Sequence, residues 1–105
     1  MAPDLRKEKN RVDLESLAAS LHHVAEGCEI EYAPINVSKQ GLAIFTRRSL
    51  GVNERLVLSL FKKDIELVVR WCKPKPEDPA FYRCGLELVS KTESLDKLIL
   101  DELNY

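Results

Sequence analysis

Hydrophobic positions change period along the chain, and between residues 12 and 27 two periods coexist. Leu14, Leu17, Ala18, Leu21 and Val24 recur at helical spacing, with Asp13 before them and Gly27 after as caps. Leu17, Ala19 and Leu21 also alternate, as one face of a strand over 16–24. From Cys28 onward the period is two. Cys28–Ala33 and residues 41–46 alternate, and Arg55–Phe61 places Leu56, Leu58 and Leu60 on one face. A turn at Lys62–Asp64 returns the chain as Ile65–Cys72, which predicts a hairpin. Three prolines in Lys73–Pro79 remove backbone donors and fix φ, so a loop is expected there. Ala80–Val89 resumes the alternation, with Tyr82, Cys84, Leu86 and Leu88 inward. The last residues return to a helical stripe of Leu95, Leu98, Ile99 and Leu103, opened by the capping-box spacing of Ser90 and Glu93. The strand pattern at 28–34 needs an antiparallel neighbour, which selects strand over helix for 16–24. The expected fold is mainly β: a small six-stranded antiparallel β-barrel with a C-terminal α-helix over 93–104 laid across one opening.

Composition keeps this within one domain. The chain has 105 residues, 45% hydrophobic and 31% charged, enough for a single modest core over 12–105. Residues 1–11 carry Arg6, Lys7, Lys9 and Arg11 with little to bury, and are expected as a flexible basic arm. Sixteen Lys and Arg against seventeen Asp and Glu give a net charge of −1. That balance argues against a polynucleotide partner, whose phosphates demand a basic excess, and leaves room for a small anion held by a local cluster. No apolar run reaches the roughly 18 residues of a membrane span, and the charged N-terminus lacks a signal-like apolar segment, so no membrane insertion and a cytoplasmic location are expected. Cys28, Cys72 and Cys84 are odd in number and form no Cys-x-x-Cys pair. They read as buried thiols in a reducing compartment, with no metal site among them.

The tightest polar constellation is Asn36, Ser38 and Gly41, inside Ile35–Leu42 between two strand patterns. Taken alone it is a polar turn: Asn and Ser bond nearby backbone and Gly tolerates positive φ. Upstream lies the arm; downstream come Gly51, Leu56 and Leu58, then Val69-Arg70-Trp71, then Arg83-Cys84-Gly85-Leu86, then the helix. In this order the chain resembles the PilZ domain family, small split β-barrels whose members commonly bind the second messenger cyclic diguanylate. The resemblance covers nearly the whole chain, and the Asn36/Ser38/Gly41 motif is its specific part.

The resemblance implies a non-catalytic bacterial receptor that binds cyclic di-GMP, orders its arm on doing so and signals to a separate protein effector. It implies ligand contacts from Asn36, Ser38 and Gly41 on one guanine, and from Arg11 on the arm. The family's first arm arginine falls on Lys7, with Arg6 adjacent. Lys supplies charge but not the planar fork that grips guanine or phosphate. Trp71, the single Trp, is a further contact that would stack on a base; its alternative is a core aromatic plugging the barrel. A second reading follows from Lys7 and the acidic C-terminal residues Asp96, Asp101 and Glu102: a PilZ-like adaptor that works by protein contact and binds the nucleotide weakly or not at all. No catalytic set is visible. His22 and His23 are adjacent and point to opposite faces of a strand, and Ser38 lacks a nucleophile elbow. No cofactor is implied.

Overall fold

Alternation decides which side chains each strand turns inward, and two interruptions of it shape the rest. The computed structural model describes residues 17, 19–60 and 63–103. The arm residues Arg6, Lys7 and Arg11 lie outside the described residues. The strands are β1 (Ser20–His23), β2 (Glu29–Ile30), β3 (Tyr32–Val37), β4 (Gly41–Thr46), β5 (Arg55–Ser59), β6 (Asp64–Lys75) and β7 (Asp78–Leu88), followed by helix α1 (Leu95–Leu103). All seven strands form one antiparallel sheet in the order β2-β1-β5-β6-β7-β4-β3.

Only Glu31 separates β2 from β3, yet the two stand at opposite ends of that order. One stretch of chain therefore serves both ends: Ile30 pairs with Leu21 of β1, and Tyr32 pairs with Thr46 of β4. Two residues of extended chain span at most about 7 Å, so the sheet must curl until its ends meet at this segment. The architecture is mainly β, barrel-like, with one short C-terminal helix. The expected six strands become seven because the strand at 28–34 breaks at Glu31 and runs on to Val37.

The core is filled from the inward faces. Leu21 of β1, Ile44 of β4, Leu56 and Leu58 of β5, Leu67 and Val69 of β6 and Cys84 of β7 are completely buried. So are Leu95 and Ile99, one turn apart on α1, which cover the core with the stripe the sequence shows. The Leu95 N–H donates to the Lys39 carbonyl (2.8 Å), tying the start of the helix to the β3–β4 turn. Among the described residues no helix is long and apolar enough to cross a membrane.

One expectation is met, the strand chosen over a helix, and two are corrected. Over the described part of 14–26 the chain is strand β1 and then a turn closed at Gly27 (φ +67°), not a helix; pairing with both β2 and β5 outweighs helical spacing. The proline segment 73–79 is not a loop: β6 continues through Lys75, β7 begins at Asp78, and Pro74 stands opposite Tyr82. Beyond the reach of β4 and β5 this hairpin has a free edge on each strand, where a missing N–H costs no ladder bond. The capping box does not open the helix. Ser90 Oγ accepts from the Thr92 N–H, Glu93 pairs with Lys63, and the helix starts at Leu95, with the Ser94 carbonyl accepting from Leu98.

Candidate ligand face

Two β-bulges turn the candidate residues outward. Along β6, Ile65, Leu67 and Val69 point inward, and strict alternation would carry Trp71 inward too. The register instead passes from Val69 opposite Leu86 to Trp71 opposite Gly85, which leaves Arg70 as the extra residue. After the bulge Cys72 faces the interior and Trp71 faces out, 37% exposed. This excludes the core-plug reading of Trp71. Position 85 must be glycine for it: a Cβ there would lie 2.2 Å from the indole Nε1. Arg70 pairs with Glu87, and that guanidinium holds the Glu87 carboxyl below the usual carboxylate range.

The same device acts on β3. Pro34 stands opposite Ile44 and Asn36 opposite Ala43, with Ile35 as the extra residue, so Asn36 turns out to solvent. The pairing of β6, β7, β4 and β3 then aligns Trp71, Gly85, Ala43 and Asn36 in one row across the outer face. Three strand spacings place the ends of the row about 14 Å apart, over a floor with no large side chain between them. The neighbouring row is Lys73, Arg83, Phe45 and Ala33.

Where these rows meet the overhanging hairpin they form a groove of about 730 Å³ lined by Phe45, Trp71, Lys73, Lys75 and Arg83. Lys75 Nζ sits 4.7 Å from the centre of the Phe45 ring, and Lys73 Nζ 6.0 Å from that of Trp71. Three cations beside two aromatic faces suit a ligand that is both planar and anionic. Glu77 is the one carboxylate in this lining.

Ser38 and Gly41 serve a different end. The Gly41 N–H donates to Ser38 Oγ (3.1 Å), and the Ser38 N–H donates to the Gly41 carbonyl (2.8 Å), closing the β3–β4 turn. A Cβ on Gly41 would lie 2.8 Å from the Leu86 carbonyl oxygen, so this glycine permits close approach of β4 and β7. Of the motif, Asn36 alone reaches the outer row, while Ser38 and Gly41 fix the turn beside it. Phe45, Lys73, Lys75 and Arg83 were not singled out by sequence reasoning. The two lysines lay in the proline segment taken for a loop, and the positions of Phe45 and Arg83 follow only from the register.

Two other clusters hold titratable groups. Buried His23 Nδ1 accepts from the Glu26 N–H (3.2 Å), which puts the imidazole proton on Nε2. Nε2 lies 3.2 Å from Glu54 Oε1, but its N–H is not aligned on that oxygen and finds no hydrogen-bond partner. His23, Glu26 and Glu54 bring one ligand atom each within 4.8 Å of the others. A metal on Nε2 would need the other tautomer and would break the bond to Glu26. The cluster is better suited to latching the turns after β1 and before β5. Glu54 Oε1 also accepts from the Gly51 N–H (2.7 Å); that bond first, and His23 after it, hold its carboxyl below the usual range. His22 faces away from His23, as strand geometry requires. In the second cluster Cys72 and Cys84 stand directly opposite each other, and the Cys84 S–H donates to Cys72 Sγ at 2.9 Å. Burial, and then Cys72, push the Cys84 thiol up to about 12.

Comparison with protein-family models, with curated proteins and with solved structures finds no match for this chain.

Proposed function

We propose that the outer face is the ligand site of a non-catalytic, PilZ-like cytoplasmic module that binds cyclic di-GMP and passes the signal to a separate protein. The observation that carries this reading is the row joining Trp71 and Asn36 across Gly85 and Ala43, with Lys73 and Arg83 in the row beside it. A cyclic dinucleotide has two planar bases and two phosphates. In this reading one base stacks on the exposed indole, and the Asn36 amide offers a donor and an acceptor to the edge of the other. Arg83 and Lys73 answer phosphate charge, and Arg6, Lys7 and Arg11 of the arm close over the ligand as the family resemblance implies. A single small ligand needs only such a local cluster, so the net charge of −1 is no obstacle.

Isothermal titration with cyclic diguanylate tests it. Binding at micromolar concentration or tighter is expected, with Arg11→Ala and Arg83→Ala each weakening it. Trp71→Ala should cost about 1–3 kcal/mol, the range for one stacked base and equal to roughly one to two decades of affinity. No heat at ligand concentrations near a millimolar would overturn the reading in favour of the adaptor that acts by protein contact.

A further inference from the structure

We propose that Cys72 and Cys84 form an oxidation site, which a hydroperoxide closes into a cross-strand disulfide. The two residues are direct partners in the β6–β7 ladder. Direct antiparallel partners have Cα atoms about 4.5 or 5.5 Å apart, and both values fall within the roughly 4.4–6.8 Å that disulfides span. The sulfurs already face each other at 2.9 Å, so each moves by about 0.4 Å to reach bonding distance near 2.05 Å. Strict alternation from Ile65 would put Cys72 on the outer face, with Cys84 on the inner one. The bulge at Arg70 is what brings both thiols to one side.

Access sets the order of events. Cys84 is completely buried, whereas Cys72 is half-buried and can be reached first. Cys72 gives up its proton and its sulfur attacks the terminal peroxide oxygen; the O–O bond breaks, Cys72 becomes a sulfenic acid, and the departing alkoxide, or hydroxide from hydrogen peroxide, takes up that proton and leaves as alcohol or water. The Cys84 sulfur then attacks the Cys72 sulfur. The S–S bond forms, the S–OH bond breaks, and the hydroxyl leaves as water with the Cys84 proton. Two thiols lose one electron each and the hydroperoxide gains both, giving one disulfide, one alcohol and one water. Cys28 is engaged elsewhere, with its thiol against Glu26 and the Arg48 guanidinium, and it provides an internal control.

The consequence is local to the ligand face. The disulfide would tie β6 to β7 between the Trp71–Gly85 and Lys73–Arg83 pairs, whose Trp71, Lys73 and Arg83 line the groove. An altered affinity for cyclic diguanylate in the oxidised protein rests on the reading under Proposed function; formation of the bond does not.

The test treats the folded protein with hydrogen peroxide, blocks remaining thiols with N-ethylmaleimide after denaturation, and digests with trypsin without reduction. Trypsin does not cut before proline, so Lys73–Pro74 and Lys75–Pro76 stay intact. Cys72 then travels in the peptide Trp71–Arg83 and Cys84 in Cys84–Lys91. The expected result is one linked pair of these peptides, two hydrogen atoms lighter than their sum, that separates on reduction. In Cys84→Ser the expected product is a Cys72 sulfenic acid that dimedone captures. Recovery of both peptides unlinked and maleimide-labelled, under conditions that oxidise Cys28, would overturn the proposal. So would a Cys72 linked to Cys28 or to a second chain.

Discussion

A single hydrogen in place of a side chain at position 85 keeps the indole of Trp71 against the sheet. In Gly85→Ala the added Cβ meets Nε1 at 2.2 Å, a separation the packed state cannot hold, and the ring must move. Overpacking of this kind costs about 1–3 kcal/mol. Because the chain has one Trp, its emission reports the change directly: a red shift and a lower denaturant midpoint are expected, and an unchanged spectrum would contradict the packing. Glu54 gives the acid limb at the same scale. Its folded carboxyl is depressed, first by the Gly51 N–H and then by His23. Its contribution to stability is therefore full above the ordinary value of 4.5 and is lost as pH falls through the folded value. Glu54→Gln keeps an oxygen for Gly51 and removes only the charge. Thermal midpoints followed from pH 7 downward should fall less steeply in that variant, with Glu26 and Glu87, also depressed, carrying what remains of the slope.

At the scale of elements, alternation was readable wherever it was unbroken. Leu56 and Leu58, Ile65 and Leu67, and Cys84, Leu86 and Leu88 all point inward as their spacing requires. It failed at Arg70 and Ile35, because a bulge is set by how two strands pair and leaves no mark in either strand alone. Those two positions decide which way Trp71 and Asn36 face, so these two were legible as residues, while the surface they share with Phe45, Lys73, Lys75 and Arg83 was not. The prolines failed as a loop signal for a related reason. Pro interrupts a strand with neighbours on both sides, whereas Trp71–Lys75 pair on one side only, with β7, and Asp78–Phe81 lie beyond the end of β4. That one-sided pairing has a measurable result. Amides of this overhang should exchange with deuterium well before those of Ile65–Val68, which are flanked by both β5 and β7 over much of their length. Equal protection in the two stretches would show that the overhang is held by something beyond the ladder.

For the whole molecule, net charge concealed what local placement made plain: a chain at −1 carries Lys73, Lys75 and Arg83 around one groove. Helical spacing at 14–26 was settled only by a demand of the whole barrel, since β2 needs a partner and β1 is the strand that joins it to β5. β1 is four residues long, so its ladder bonds are few and closure rests heavily on Leu21, which is completely buried and pairs with Ile30 on one side and Leu58 on the other. Leu21→Ala leaves a cavity at that seam and should destabilise by about 2–5 kcal/mol. If closure is a property of the entire sheet, the loss spreads: the emission of Trp71 on β6, three strands away along the sheet from β2, should report the same lowered midpoint as the far-ultraviolet signal of the strands. A Trp71 transition that stays at the wild-type midpoint while the strand signal falls early would mean that β1 and β2 peel away alone, and that the remaining strands stand without the closing segment.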